Sequence, residues 1–130
     1  MPNSTSADKQ KIVLVAEDDK FYSHLYETKL HNEGFNIVIA EDGIQVVKLA
    51  KLHHPALILL DLIMPTQDGF ETLKILKSDP ELEKIPVVIM SNLAQEEDMQ
   101  RTKELGAIDY LVKSNITMED MVKVVRKYLK

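Results

Sequence analysis

LILLDLIMPTQDG, residues 57–69, decides how the rest of the chain is read. Four apolar residues, Leu57 to Leu60, run into a single carboxylate, Asp61. The chain then turns apolar again, meets Pro65, and loosens into Thr66-Gln67-Asp68-Gly69, rich in residue types that favour turns. So short and continuous an apolar run suits a strand buried on both faces, as in a parallel sheet. Asp61 at its end either caps the following loop or stands at the mouth of a site.

Runs of the same kind recur on both sides: IVLVA (12–16), FNIVIA (35–40), ALILL (56–60), IPVVIM (85–90) and IDYLV (108–112). Between them lie longer segments with apolar residues at helical spacing. Phe21, Leu25 and Leu30 fall in the first, and Ile44, Val47 and Leu49 in the second. Phe70, Leu73 and Leu76 fall in the third, Leu93, Met99 and Leu105 in the fourth, and Met121, Val124, Val125 and Leu129 in the last. Gly34 and Gly106 stand where helices commonly end in a left-handed residue. Asp42-Gly43 reads as a turn and helix start. Thr117 followed by Asp120 resembles a capping box, with Asp in place of the usual Glu or Gln. Five strands alternating with five helices predict an α/β fold, a parallel sheet with helices on both faces.

The 130 residues fit one domain, and the last helix, running to the end of the sequence, is expected to leave no room for a second. Hydrophobic content of 45% and charged content of 28% are ordinary for a globular protein. With no cysteine, disulfides and thiol chemistry are excluded, which suits a reducing cytoplasm. The net charge is −5 and there is no long basic run, so a nucleic-acid surface is not expected. Lys123, Arg126, Lys127 and Lys130 read as a solvated helix face with cations near its C-terminus. No apolar stretch approaches the ~20 residues of a membrane span. MPNSTSADKQ (1–10) lacks the apolar region of a signal peptide and is expected to be a disordered tail before a domain at 11–130. The four histidines, His24, His31, His53 and His54, show no coherent metal-ligand spacing.

In an open α/β sheet, ligands bind outside the carboxyl ends of the strands. The first strand delivers Glu17, Asp18 and Asp19 there, and the second Glu41 and Asp42. The third delivers Asp61, the fourth Ser91 and Asn92, the fifth Lys113 and Ser114. With the first and third strands adjacent, Glu17, Asp18 and Asp61 crowd together. Two like charges ~4 Å apart cost roughly 4 kcal/mol at an effective dielectric near 20. Such a cluster raises a carboxylate pKa or recruits a cation. Mg²⁺, which binds through a few carboxylates while keeping several waters, answers the need. A metal, the Lys113 ammonium and the Ser91 hydroxyl around one carboxylate make a receptacle for a phosphoryl group, with Asp61 as the in-line nucleophile. Taken singly, each residue has a plainer reading. Acids gather at helix N-termini, Asp61 can cap a loop, Lys113 can be a surface lysine and Ser91 a helix cap. It is their joint placement, one set per strand end, that favours the site.

VLVAEDD, LLDLIMPTQDG, VVIMSNLA and YLVK together resemble the response-regulator receiver domain of two-component signalling, of the single-domain type to which the chemotaxis response regulator belongs. The likeness covers about residues 11 to 130 and implies a flavodoxin-like doubly wound (βα)5 fold, with strand order 2-1-3-4-5. It implies that Asp61 is the phosphoacceptor, taking its phosphoryl group from a phosphohistidine on a sensor histidine kinase or a histidine phosphotransfer protein. Glu17, Asp18, Asp61 and the backbone carbonyl of Ile63 are implied as Mg²⁺ ligands. Lys113 is implied to pair with the phosphoryl oxygens, and Ser91 to swing in and hydrogen-bond them. Tyr110, by itself an ordinary half-buried strand aromatic, is implied as a switch that remodels the face of the fourth helix, fifth strand and fifth helix. A downstream protein target would read that face, on a monomer or a phosphorylation-dependent dimer. No direct nucleic-acid or membrane contact is implied, and the chain would catalyse only its own phosphorylation and dephosphorylation.

Two positions depart from the pattern. Asn92 stands where a small Ala or Gly is usual, and Ser114 where Pro is common, often after a cis peptide. Ile63 and Leu93, the variable positions flanking the site, are both apolar. A receiver-like interaction module that signals without phosphate therefore remains as an alternative. A flavin or nucleotide binder on the same fold would need a phosphate cradle after the first strand, and that loop is acidic here. A phosphatase of the haloacid-dehalogenase type wants its two aspartates at the end of strand one, a spacing Glu17-Asp18-Asp19-Lys20 does not give.

Overall fold

The computed structural model describes residues 11–129; the expected tail at 1–10, and Lys130 of the terminal basic group, lie outside them. Strands β1 (Ile12–Ala16), β2 (Asn36–Ala40), β3 (Leu57–Leu60), β4 (Val87–Ser91) and β5 (Asp109–Val112) alternate with five helices. These are α1 (Lys20–Asn32), α2 (Gly43–His53), α3 (Gly69–Ser78), α4 (Glu96–Glu104) and α5 (Met118–Tyr128), with a 3₁₀ turn at Lys113–Asn115. All strands are parallel, in the order β2-β1-β3-β4-β5. The doubly wound fold and its strand order are as expected.

Side chains alternate between the two faces of the sheet, as strand geometry requires. Leu14, Ile58, Leu60 and Ile89 point to one face, where α2 and α3 cover them with Val46, Ala50, Leu73 and Leu76. Val13, Val15, Leu57, Leu59, Val88 and Met90 point to the other, under Tyr26 and Leu30 of α1 and Met121, Val122 and Val125 of α5. β3 is buried at every residue, because it is central and covered on both sides.

The helix faces partly differ from the sequence reading. α1 buries Tyr26 and Leu30, while Phe21 is 70% exposed and Leu25 is also exposed. α2 buries Val46 and Ala50 and exposes Ile44. Leu93 precedes α4 rather than lying in it.

Ends and caps follow local chemistry. Thr117 and Asp120 form a reciprocal capping box at the start of α5. Asp42 caps α2 and Asp68 caps α3. Gly34 and Gly106 take φ of 95° and 109°. His54 ends α2 in a left-handed conformation and lies 3.4 Å from Glu81. Of the terminal basic residues, Arg126 pairs with Glu33 at 2.7 Å and stacks over Phe35. No helix among the described residues is long and apolar enough to cross a membrane.

Candidate functional site

The site follows from strand register. Ala16 pairs with Leu60, so the next residues on each strand, Glu17 and Asp61, leave the sheet side by side. Ser91 pairs with Val112, which sets Lys113 beside the residue after Ser91. β2 lies outside β1, so β1 and β3 meet where the winding reverses, the place such folds reserve for ligands.

The Lys113 ammonium is the hub. It donates to Asp61 Oδ2 at 2.8 Å and to Glu17 Oε1, and its side chain is only 9% exposed. Glu17 is 2% exposed and Asp61 6%. Asp61 Oδ1 also accepts from the backbone N–H of Ile63 at 3.2 Å. Asp18 is exposed at the rim. One carboxylate oxygen each from Glu17, Asp18 and Asp61 lie within 4.8 Å of one another. Ser91 is fully buried at the end of β4, and its Oγ accepts from the N–H of Leu93 at 3.2 Å.

Burial pushes the Glu17 carboxyl above its usual range, more than its hydrogen bonds from Lys113 and Asp19 pull it down. Burial alone would lower Lys113, but the hydrogen bonds to Asp61 and Glu17 outweigh it and hold the ammonium above its ordinary value. Three carboxylates around one ammonium leave two negative charges. Hard oxygen donors, close together and undercompensated by two charges, fit a divalent ion such as Mg²⁺.

The acidic triplet after β1 divides its labour. Asp19 does not join the pocket: its carboxylate caps α1, accepting from Phe21 N at 2.9 Å and Tyr22 N at 3.3 Å. Its own N–H donates to Glu17 Oε2 at 3.1 Å, which helps to aim that carboxylate. The acids after β2 also stay outside: Asp42 caps α2, and Glu41 pairs with Lys20 at 2.9 Å. The plainer reading of acids at a helix start therefore holds for Asp19 and Asp42, and not for Glu17.

Tyr110 packs against the core, and its hydroxyl donates to the carbonyl of Leu93. Burial raises its pKa. The loop after β5 contains no cis peptide; Lys113, Ser114 and Asn115 form the 3₁₀ turn. Asn92 Oδ1 accepts from the N–H of Ser114 at 2.9 Å, so the two departures from the receiver pattern bond each other. Tyr22 was not singled out from the sequence. Its ring lies 5.4 Å from the Lys113 ammonium, within cation–π reach, and stacks on Tyr26 at 5.9 Å. The signal was present, since Tyr22 and Tyr26 are four apart on the helix that follows the acids.

Behind Asp61 the backbone is tightly packed. Gly69 donates its N–H to Leu62 O at 2.9 Å, and a Cβ there would collide with the carbonyl oxygen of Asp61 and the Cα of Leu62. Gly43 is equally hemmed in by Gln67 O and Thr72 Oγ1, which locks the start of α2 onto the β3–α3 loop.

Comparison with known proteins agrees with this geometry. The model of the family described as "Response regulator receiver domain" matches residues 13–126. The polar-differentiation response regulator DivK of Brucella ovis is 31% identical over 119 residues, covering 92% of this chain and 96% of that protein. The receiver domain of the Francisella response regulator 1452 superposes with a TM-score of 0.84 at 30% identity, over 92% of this chain and 96% of that one. The Mn²⁺-bound form of response regulator Rcp1 superposes with a TM-score of 0.76 at 32% identity, over 90% of each chain.

Proposed function

We propose, from the premise that this chain belongs to the response regulator receiver domain family of two-component signalling, that Asp61 is its phosphoacceptor. The observation that carries this is the Lys113 ammonium shared between Asp61 and Glu17 beside an exposed Asp18. A carboxylate meant only as a loop cap needs neither a buried lysine nor two neighbouring acids.

In the proposed reaction a phosphohistidine of a sensor kinase or histidine phosphotransfer protein approaches Asp61. The P–N bond breaks as a bond forms from an Asp61 carboxylate oxygen to phosphorus. The electron pair of the P–N bond returns to the imidazole, which then takes up a proton. Lys113 shifts from the bare carboxylates to the incoming phosphoryl oxygens, an electrostatic stabilisation already built before reaction. Glu17, Asp18, Asp61 and the Ile63 carbonyl would hold Mg²⁺, and the existence of a relative in an Mn²⁺-bound form supports divalent-ion binding by a domain of this kind. When bound, the ion offsets charge on the equatorial phosphoryl oxygens.

The switch uses bonds seen around Ser91. Its hydroxyl turns to donate to a phosphoryl oxygen, which loosens the Leu93 N–H that it now accepts. The Leu93 carbonyl is held by Tyr110, so the change passes to β5 and to the α4–β5–α5 face. Phosphoryl binding thus favours one arrangement of this loop over another. A downstream protein reads that face, on a monomer or on a dimer formed through it, and the cytoplasm is the compartment this exchange suits.

The phosphate-independent alternative rested on Asn92 and Ser114. Their mutual bond leaves the charged pocket intact, which favours the phosphoacceptor reading. The test is incubation with acetyl phosphate and Mg²⁺, followed by intact mass. Wild type should gain one phosphoryl group, stable in acid and labile in base. Asp61→Asn should gain none, and wild type without divalent ion should gain far less. Equal gain by Asp61→Asn would refute the reading.

A further inference from the structure

The loop from Ser91 to Leu93 is laced to β5 and to the 3₁₀ turn after it, on both sides of Lys113. Upstream, Tyr110 donates to the Leu93 carbonyl; downstream, the Ser114 N–H donates to Asn92 Oδ1 at 2.9 Å. Register makes the second tie possible, because Ser91 faces Val112 across the β4–β5 pair. It also depends on sequence: a proline at 114 has no N–H, and an alanine or glycine at 92 has no acceptor. Asn92 and a non-proline residue at 114 are therefore a matched pair.

We propose that Asn92 is a positioning residue for phosphoryl transfer. It fixes the spacing between the Ser91 hydroxyl and the Lys113 ammonium, the two groups that receive phosphoryl oxygens in the reading given above, on which this inference rests. Asn92 is exposed, and its side-chain oxygen is taken by Ser114, so it acts through the two loops rather than on the phosphoryl group. Small errors in such spacing are costly, because catalysis here is mainly positioning and electrostatics. The opposing idea is that the Asn92 side chain narrows access to Asp61, in which case trimming it speeds uptake.

Uptake from acetyl phosphate at saturating Mg²⁺, followed by intact mass, separates these. Wild type is compared with Asn92→Ala and with Asn92→Leu, which keeps the bulk of the side chain without its acceptor, and Asp61→Asn is the blank. Losing one neutral hydrogen bond should lower the maximal uptake rate by about two- to tenfold. The half-saturating acetyl phosphate concentration should stay unchanged, as should Mg²⁺ affinity by calorimetry. Both variants should show the drop, because both lose the same acceptor, whereas a side chain that only narrowed access would leave Asn92→Leu at the wild-type rate and speed Asn92→Ala. Faster uptake by Asn92→Ala, or a wild-type rate in either variant, overturns the positioning role. No uptake by wild type overturns the phosphoacceptor reading itself, and the positioning role with it; wild-type uptake at the variants' rate overturns the positioning role alone.

Discussion

At Glu17, proposed as a metal ligand, burial works against the charge that such a role needs. Burial holds its carboxyl above the ordinary range, so the folded chain binds that proton more tightly than the unfolded chain does. Its contribution to stability is therefore full below the unfolded value, about 4.3 for Glu, and is lost as pH rises through the raised folded value. Ionising the side chain therefore opposes folding. Glu17→Gln should raise the melting temperature at pH 7 in chelator by a few degrees and weaken Mg²⁺ binding at least tenfold. Thermal melts from pH 4 to 8, with calorimetry for the metal, check both; a less stable variant at pH 7 would contradict this account of Glu17. Beside it, Ile63 is exposed and Leu93 is partly covered, and neither can hold a water in line with a phosphoryl group on Asp61. The phosphorylated chain should thus lose its phosphoryl group slowly, and Ile63→Asn should speed the loss. Loading with acetyl phosphate, desalting, and following intact mass measures the decay; a wild-type half-life of seconds would count against this.

Loops carry the constraints at the scale of elements, and two glycines separate their causes. Gly34 takes φ 95° with open space where a Cβ would go, so Gly34→Ala should cost only the left-handed conformation, about 1–2 kcal/mol. At Gly69 the new Cβ meets the backbone of Asp61 and Leu62, so Gly69→Ala should cost at least as much through overpacking, about 1–3 kcal/mol or more. Only Gly69→Ala should also slow phosphoryl uptake. Urea unfolding and the uptake assay check the pair; equal uptake in both variants would contradict the proposed coupling of this loop to Asp61. The same contrast shows what sequence could reveal. Buried strands were legible because β3 and its neighbours are apolar at nearly every position, and the caps at Thr117 and Asp120 because capping is local chemistry. The inner face of α1 was misread because Phe21 and Leu25 have helical spacing, while Tyr26, which does the packing, is a less decisive residue type. The Asn92–Ser114 bond was visible only as two oddities, since nothing local says that residues 22 apart share a hydrogen bond.

Across the whole molecule, the doubly wound order does the assembling. Because β1 sits between β2 and β3, the residues after Ala16 and Leu60 meet at one edge of the sheet, and β4 and β5 bring Ser91 and Lys113 to the same edge. Glu17, Asp61, Ser91 and the Lys113 side chain are buried or nearly so, held by a core that covers both faces of the sheet. Such a frame can move a short loop without repacking the core, which suits a switch confined to residues 91–93, Tyr110 and the helices flanking β5. The central claim is that Asp61, among the 21 acidic residues, is the one that forms an acyl phosphate. Borohydride reduction after acetyl phosphate loading tests it most directly, because it converts an aspartyl phosphate to homoserine, which peptide mass spectrometry locates. Homoserine at position 61 alone, and only when Mg²⁺ was present during loading, is the predicted result; homoserine at another aspartate, or none in a chain that has gained phosphate, would contradict the account.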